Sequence, residues 1–315
     1  MAARRTAVAV VGAGPAGLAV ANLLRRAGIA GVLLERESRA FVEQRPRGGF
    51  IEEWAVRGLE RRGLGERLVA KAPRHAEFEF RYGDVTGQRH FVYPHQLLVT
   101  DLLAQYTGAG GEHRIECDFV AGCDGARGFT QGYLPAESTV KAHHDYGIGW
   151  PALLAEAPPS ADGVLSGIHP RGFGAHMART PGVTRFSLRT AAGEPEADWP
   201  DERVRRELQA HLVAPIAAKG MNLALYDAFL LAEAFQAHYA GDSAPLAGYS
   251  AACLPLVWQH QEFSLWLSDI FHHTAAAAEN PFPARIAEAR MRRLLGSPAA
   301  AAVFAELYIG KNAGL

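Results

Sequence analysis

The sequence predicts an α/β fold in which a parallel strand–helix–strand unit is interleaved with a smaller, mostly antiparallel β domain and followed by C-terminal helices. Three observations predict this. A glycine-rich stretch, AVAVVGAGPAG at residues 7–17, begins as a β-like run. Short β-like runs separated by proline and glycine fill residues 144–190, and the pattern is mostly helical from residue 204 onward.

The glycine-rich stretch has the flanks of a Rossmann-like nucleotide cradle. Residues 7–11 are typical of a short buried strand, and residues 18–26 continue at helical spacing. Between them, Gly12, Gly14 and Gly17 fill the G-x-G-x-x-G positions. The first glycine permits the turn, the second lets a pyrophosphate approach the backbone, and the third lets the helix pack on the strand. A plain turn between strand and helix is the alternative.

A second apolar run and an acidic residue favour the cradle. Residues 31–34 form the run, and Glu35 follows it, 23 residues after Gly12. A carboxylate at this place can accept hydrogen bonds from a ribose. Free N–H groups at the start of the helix favour an anion. We therefore predict dinucleotide binding.

The composition limits the partners. With 315 residues the chain can form one large domain or two interleaved ones, and 32 basic against 33 acidic residues leave a net charge of -1. This balance gives no reason to expect nucleic acid or a membrane surface as a partner. No apolar run is long enough to span a bilayer. We expect small-molecule partners.

The cysteines and histidines predict neither disulfides nor a metal site. Cys117, Cys123 and Cys253 match no disulfide framework and no zinc pattern, which favours a reducing, cytoplasmic compartment and a role as buried filling residues. The adjacent histidines at 143–144 and 272–273 diverge on a strand or a helix, so we expect them at the surface.

Further cofactor contacts are indicated beyond the cradle. A basic, glycine-bearing loop carries Arg45 and Arg47, residues 76–93 alternate as a pair of strands, and residues 95–106 return to helical periodicity. The next strand ends in a glycine turn with Asp124 at its tip. A simple dehydrogenase would need neither the arginine loop nor the Asp124 turn.

These motifs, in this order, resemble the single-component FAD-dependent aromatic-ring hydroxylases, the class A flavoprotein monooxygenases of the 4-hydroxybenzoate-hydroxylating type. The resemblance covers nearly the whole chain. It rests on VVGAGPAGLAVANLL with Glu35, RPRGGFIEEW, GCDGARG, HPRGF, APIAAKGMNLA and YSAACLPLVWQHQEFSLWL. It implies a bound FAD, reduction by NADPH or NADH, and hydroxylation of a small phenolic acid with molecular oxygen. It also explains why the chain carries only one G-x-G-x-x-G motif, since the nicotinamide nucleotide has no Rossmann domain of its own in this family.

The resemblance also implies which residues contact the cofactors. Gly12, Gly14, Gly17 and Glu35 match the ADP half of the FAD site. The other matching positions are Arg45, Arg47, His95, Asp124, Gly125, Lys219, Gly220, Met221 and Asn222, with Pro215 beneath the flavin ring as a catalytic position. His95 replaces a glutamine that touches the flavin, and Gln131 replaces an arginine used toward the nicotinamide nucleotide. Without the resemblance, Arg45 and Arg47 equally suit a solvated loop, and Asp124 suits an ordinary Asp-Gly turn.

In the substrate pocket the resemblance is incomplete. Arg179 stands where the family grips a ring carboxylate, and a guanidinium can bind a carboxylate with two hydrogen bonds. Its partner positions hold Met177 and Ser187 instead of a serine and a tyrosine. Ser166 and Leu294 stand at two tyrosine positions that draw the proton from the substrate phenol. These changes imply a different substrate, weak turnover or another proton route such as His169, for which a packed, hydrogen-bonded histidine is the alternative.

Two internal segments are shorter than in the family. Family members carry a Gly-Asp pair before the segment that reads AHLVAP here, with its aspartate on the ribityl chain, whereas RRELQ leads directly into Ala210. A second shortening falls within residues 102–119. A non-catalytic nucleotide-binding protein that has lost productive flavin binding is therefore the second hypothesis. A simple NAD(P)-dependent dehydrogenase is the third.

The domain organisation is predicted to be interleaved. We expect an FAD-binding domain in three parts, at residues 1–75, 95–140 and 210–250, with substrate-domain strands at 76–94 and the main substrate domain at 141–209. Residues 251–315 form a C-terminal helical region. This organisation is compatible with a homodimer.

Overall fold

The glycine-rich unit forms the expected strand, helix and strand. The structure, a computed structural model, describes residues 4–45, 50–72, 74–75, 78–81, 84–86, 90–92, 95–106, 115–136, 139, 147–159, 164–169, 172–210, 219–272 and 281–309. Strand β1 spans Arg4–Val11, helix α1 spans Pro15–Arg26 and strand β2 spans Gly31–Leu34. Proline suits the first turn of α1, because its missing N–H would have no acceptor there.

Short elements follow as far as the next central strand. They are α2 (Arg39–Gln44), β3 (Phe50–Ile51), α3 (Glu53–Arg61), α4 (Glu66–Lys71), β4 (Arg74–His75), β5 (Phe78–Arg81), β6 (Asp84–Thr86), β7 (His90–Val92), α5 (His95–Gln105) and β8 (Ile115–Gly122). A 3₁₀ turn at Thr130–Tyr133 comes after β8.

The second half passes from strands to helices. Its strands are β9 (Ile148–Gly149), β10 (Ala152–Ala155), β11 (Val164–His169), β12 (Gly172–Thr180), β13 (Val183–Leu188) and β14 (Thr190–Ala191). Its helices are α6 (Asp201–Ala210), α7 (Lys219–Tyr239), α8 (Ala244–Ala247), α9 (Tyr249–His272), α10 (Pro281–Gly296) and α11 (Pro298–Ile309).

A parallel three-stranded sheet carries the nucleotide cradle. Its strand order is β2-β1-β8, and Ala9 of β1 aligns with Val32 of β2 and Val120 of β8. Apolar side chains of β1, α1, α3, α5 and α7 form the main core on one face of this sheet. On the opposite face Val120 is 61% exposed, although parallel sheets are usually covered on both faces.

A six-stranded sheet forms the second layer, with the strand order β10-β13-β12-β11-β5-β6. Neighbouring strands pair antiparallel, except that β11 and β5 run parallel. This arrangement confirms the antiparallel layer predicted for residues 144–190. It also adds β5 and β6, which come from much earlier in the chain.

The C-terminal helices pack on β12. A second apolar cluster joins Ala175 and Met177 of β12 to Phe263, Leu267 and Ile270 of α9, Met291 of α10 and Tyr308 of α11. None of the helices in the described part of the chain has the length and hydropathy needed to cross a membrane.

Two sequence expectations need correction. Both strands predicted within residues 76–93 are present as β5 and β7, but they do not pair with each other, since β5 pairs with β6 and β11, whereas β7 pairs with β3 and β4. Alternation predicts a strand but not its partner. Of the three cysteines expected to be buried, only Cys253 is, while Cys117 and Cys123 are half-buried. Burial, with the nearby Asp124 charge, raises the pKa of Cys123 to about 12, so its thiol stays protonated.

Candidate active site

The three cradle glycines meet three different steric demands. Gly12 adopts φ +104°, and a β-carbon there would lie 2.5 Å from the Cys123 carbonyl oxygen. A β-carbon at Gly17 would lie 1.9 Å from the Gly12 carbonyl oxygen. A β-carbon at Gly14, at the N-cap of α1, would meet nothing within 4 Å. The first and third glycines are therefore required by packing, and the second leaves open space.

Glu35 is held against the cradle by backbone donors. Its Oε2 accepts a hydrogen bond of 2.7 Å from the Ala13 N–H, and its Oε1 accepts one of 2.9 Å from the Glu37 N–H. The side chain lies at the end of β2, as the sequence predicts. An exposed carboxylate in this position retains lone pairs for a ribose hydroxyl.

Asp124 closes a local turn beyond β8. Its carboxylate accepts hydrogen bonds from the Thr130 hydroxyl and, at 3.1 Å, from the Thr130 N–H. Desolvation is the largest single influence and raises the pKa of Asp124, but the hydrogen bonds from Thr130 and from the backbone of Asp124 and Phe129 together outweigh it and lower the pKa below its ordinary value. Gly125 adopts φ +79°, and a β-carbon at Gly128 would lie 2.1 Å from the Asp124 carboxyl carbon. Gln131 donates to the carbonyl oxygens of Ala126 and Gly128 at 2.8 and 3.0 Å.

The other predicted cofactor positions lie at element ends. Arg45 is the C-cap residue directly after α2, with its guanidinium 5.4 Å from the centre of the Phe41 ring, and His95 begins α5. Lys219, Gly220, Met221 and Asn222 form the first turn of α7. Arg47 and Pro215 lie outside the described residues.

The first turn of α7 is tied to the start of α3 through Asn222. This side chain is fully buried, and its Oδ1 accepts a hydrogen bond of 3.0 Å from the Glu52 N–H. The Glu52 carboxylate is also fully buried and accepts a hydrogen bond from the Trp54 indole N–H. Glu52 lies within the motif RPRGGFIEEW, but the sequence analysis assigned it no role. An acidic residue directly after the apolar Ile51 was the available signal.

The predicted substrate residues gather on β11, β12 and β13. Strand register places Ala175 opposite both Ser166 and Ser187, and Met177 lies two residues further along β12. Arg179 follows at an irregularity in the register and is only 7% exposed. His169 ends β11, away from Arg179 along the sheet, because it pairs with Gly172.

Tyr308 connects this sheet to the α3–α7 junction. It belongs to the same apolar cluster as Met177 and stacks on Phe304 at 5.6 Å between ring centres. Burial raises the pKa of Tyr308, and the nearby Glu52 carboxylate raises it further. Sequence reasoning expected Leu294 at a tyrosine position, and the structure places Leu294 at the edge of this cluster. The sequence analysis assigned no role to Tyr308.

The cradle fits the ADP half of a dinucleotide such as FAD. Gly14 leaves room for a pyrophosphate, and helix geometry leaves the N–H groups of Ala16 and Gly17 without intrahelical acceptors. Glu35 is anchored where a ribose would lie. In the described part of the chain, no group of three or more His, Cys, Asp or Glu side chains could hold a metal ion.

Comparison with known proteins identifies the sequence family of this chain. A family model described as FAD binding domain matches residues 5–108, 101–212 and 209–264. The chain is 28% identical to the p-hydroxybenzoate hydroxylase of Acinetobacter baylyi over 388 aligned positions, covering 97% of this chain and 95% of the relative. Because 97% of 315 residues is about 306, roughly 80 of the 388 positions have no residue in this chain. This difference agrees with the predicted internal shortenings.

Solved structures share the fold. OxyS anhydrotetracycline hydroxylase from Streptomyces rimosus matches with a TM-score of 0.68 and 20% identity, over 97% of this chain and 76% of that chain. PqsL, a probable FAD-dependent monooxygenase from Pseudomonas aeruginosa, matches with a TM-score of 0.64 and 18% identity, over 90% of this chain and 99% of that chain. At these identities the likeness concerns the fold alone.

Proposed function

Because the chain belongs to the FAD binding domain family, we propose that it is an FAD-dependent monooxygenase that hydroxylates a small phenolic acid similar to 4-hydroxybenzoate. NADPH or NADH is the proposed reductant, and molecular oxygen supplies the inserted atom. FAD, when bound, supplies the redox and oxygen-activating chemistry. The chain's own residues bind the acid, orient its ring and hold protons.

The observation that carries this proposal is the position of Tyr308. It packs with Met177 on the strand that bears Arg179, and it lies near Glu52, whose backbone is bonded to Asn222. Asn222 belongs to the helix start that the family resemblance places beneath the flavin ring. One buried connection therefore links the proposed acid-binding strand to the proposed flavin side.

Arg179 is the proposed receptor for the carboxylate of the substrate. Burial and the neighbouring Arg185 charge lower the pKa of Arg179 to about 10, so the guanidinium remains charged at neutral pH. A carboxylate that pairs with this guanidinium would form two charge-assisted hydrogen bonds and fix one end of the ring. Met177 beside it offers an apolar surface to the ring.

Proton handling is assigned to Tyr308 and Glu52. Ring hydroxylation is favoured when the substrate phenol loses its proton, so a group near the ring has to accept one. The raised pKa of Tyr308 keeps its hydroxyl protonated, and the hydroxyl can therefore pass a proton on rather than store a negative charge. The Glu52 carboxylate is the proposed acceptor, because it lies near Tyr308. The two positions at which the family carries tyrosines, Ser166 and Leu294, offer none.

Anaerobic flavin reduction tests the function. Protein loaded with FAD is mixed with NADPH or NADH, with and without 4-hydroxybenzoate, and the flavin absorption band is followed. We expect the acid to accelerate bleaching in the natural protein and not in Arg179→Met. Arg292→Gln, which removes an exposed arginine on α10, is the matched control and should behave like the natural protein.

The absent Gly-Asp pair favours a second candidate, a nucleotide-binding protein without productive flavin binding. The FAD loading and the anaerobic reduction described above decide between the two candidates. Failure to retain any flavin at excess FAD would overturn the hydroxylase and support the second candidate. Flavin that is retained but bleached at the same rate whether or not a phenolic acid is present, for every acid tested, would also contradict the hydroxylase.

A further inference from the structure

The Glu52 side chain does not cap the helix that it precedes. Glu52 is the N-cap residue of α3, with extended backbone angles of φ -70° and ψ 149°. A carboxylate in this position normally accepts a hydrogen bond from the N–H of the second or third helical residue. Ser38 forms such a cap at α2, where its hydroxyl accepts a hydrogen bond of 3.2 Å from the Phe41 N–H. Among the residues that the structure describes, no backbone N–H at the start of α3 caps onto the Glu52 carboxylate.

The indole of Trp54 holds this carboxylate instead. Trp54 is the second residue of α3, and its Nε1–H donates a hydrogen bond to Glu52 Oε2. Glu52 is fully buried, and a buried carboxylate needs donors in order to stay charged. A hydrogen bond to an ionised carboxylate is also stronger than one between neutral groups. The bond therefore fixes Oε2 and, with it, the direction of Oε1.

The indole ring is itself fixed by α7. It meets the Tyr226 ring edge to face, with 6.0 Å between the ring centres and 83° between the planes. Trp54 is half-buried and packs against the main core. The Glu52 N–H donates to Asn222 Oδ1 at 3.0 Å. Glu52 is therefore held twice, at its backbone by α7 and at its side chain by Trp54.

The carboxylate held in this way lies near Tyr308. Burial is the larger influence that raises the pKa of Tyr308, and the Glu52 charge raises it further. A carboxylate that capped α3 would instead lie at the positive end of the helix dipole, which stabilises the ionised form and weakens it as a proton acceptor. The two arrangements compete for one side chain, and the indole N–H favours the one without the cap.

We propose that Trp54 is a positioning residue that keeps the Glu52 carboxylate away from the end of α3 and directed toward Tyr308. This inference rests on the proposed function, in which Glu52 is the proton acceptor. In that step the phenol proton passes to the Tyr308 oxygen while the Tyr308 proton passes to Glu52. The tyrosine is unchanged by the transfer, and Glu52 becomes a carboxylic acid.

Trp54→Phe tests the inference, because it removes the indole N–H and keeps an aromatic ring against Tyr226. The FAD-loaded variant is supplied with NADPH or NADH, oxygen and 4-hydroxybenzoate, and hydroxylated product is measured per NAD(P)H consumed. We expect this ratio to fall about 10-fold while the anaerobic rate of flavin reduction stays within about 2-fold. Trp258→Phe is the matched control, since Trp258 is 61% exposed on α9, and it should change neither quantity.

Combination with Glu52→Gln shows whether Trp54 acts through Glu52. Two residues that act as one unit give effects that do not add. Glu52→Gln should lower the product ratio about 10-fold or more, and adding Trp54→Phe should lower it less than about 2-fold further. If Trp54→Phe lowers the ratio by the same factor with and without Glu52→Gln, or does not lower it at all, the inference is overturned and the hydroxylase proposal stands.

Circular dichroism and FAD content are measured on every variant, because a residue with a purely structural role would lower both. If Trp54→Phe does not retain FAD, Trp54→Met, which has an apolar side chain without a donor, replaces it in the same experiments. Loss of FAD from both variants would make Trp54 a packing residue and overturn the inference. Absence of hydroxylated product from the natural protein would overturn the inference together with the proposed function.

Discussion

Gly17 packs so closely on Gly12 that a β-carbon at position 17 would lie 1.9 Å from the Gly12 carbonyl oxygen. The same turn leaves Gly14 facing open space. One motif therefore contains two glycines that packing requires and a third, Gly14, that packing does not require.

We expect Gly17→Ala to destabilise the protein and Gly14→Ala to weaken FAD binding. The first substitution forces α1 away from β1 and should cost more than about 2 kcal/mol of unfolding free energy. The second is allowed by the backbone at Gly14, where φ is -76°, and should cost less than about 1 kcal/mol. Urea unfolding and an FAD titration measure the two effects. FAD binding by Gly14→Ala as tight as in the natural protein would contradict the cradle.

Thr130→Val should raise the pKa of Asp124. The hydroxyl of Thr130 is one of the two groups of that residue that bond the carboxylate and keep its pKa low. Because the folded pKa lies below the unfolded one, this carboxylate contributes stability that is present above the ordinary aspartate pKa of 3.8 and lost as the pH falls through the folded pKa. The variant should lose less stability on acidification in this window. If an NMR titration gave Asp124 the same pKa in Thr130→Val as in the natural protein, this account of the turn would be contradicted.

Tyr308→Phe should separate folding and flavin reduction from ring hydroxylation. The substitution removes only the hydroxyl, and the ring contacts with Phe263 and Phe304 remain. Unfolding free energy should change by less than about 1.5 kcal/mol, while hydroxylated product per NAD(P)H consumed should fall about 10-fold or more. Product quantification against NAD(P)H consumption checks this. An unchanged ratio would remove Tyr308 from the proton route.

Met177→Ser should destabilise the protein instead of improving the pocket. The family resemblance places a serine at this position, but Met177 is 4% exposed and belongs to the cluster with Phe263 and Tyr308. Removing its buried methylene and sulfur atoms should cost about 2–4 kcal/mol. Thermal unfolding measures the loss. The neighbouring variant Ser187→Ala is the control for a small change on the same face and should cost less. A Met177→Ser protein as stable as the natural one would show that the cluster does not depend on this side chain.

Local spacing predicted the cradle well. Gly17 packs on the Gly12 carbonyl oxygen within the turn, and Gly12 adopts a positive φ, so the fingerprint could be recognised from the local pattern. The contact of Gly12 with Cys123, which comes from β8, could not. Glu35 could be found for the same reason, since a short βαβ unit sets its distance from the glycines. The strand, the turn and the helix around them follow from the same local pattern.

Contacts between distant parts of the chain could not be predicted in this way. The approach of Tyr308 to Glu52 depends on α11 packing against the sheet, and the position of Arg185 beside Arg179 depends on strand register. Periodicity identifies a strand and its buried face but leaves the identity of its neighbours open. The erroneous pairing within residues 76–93 has the same cause, because β7 joins β3 and β4.

Oxygen-18 incorporation tests the central claim most directly. FAD-loaded protein is incubated with NADPH or NADH under oxygen-18 gas, with 4-hydroxybenzoate and other small phenolic acids as substrates, and the products are analysed by mass spectrometry. The account predicts an aromatic product that carries one additional hydroxyl with labelled oxygen, and its loss in Arg179→Met. Oxidation of NAD(P)H with no labelled aromatic product from any of these acids would contradict the claim.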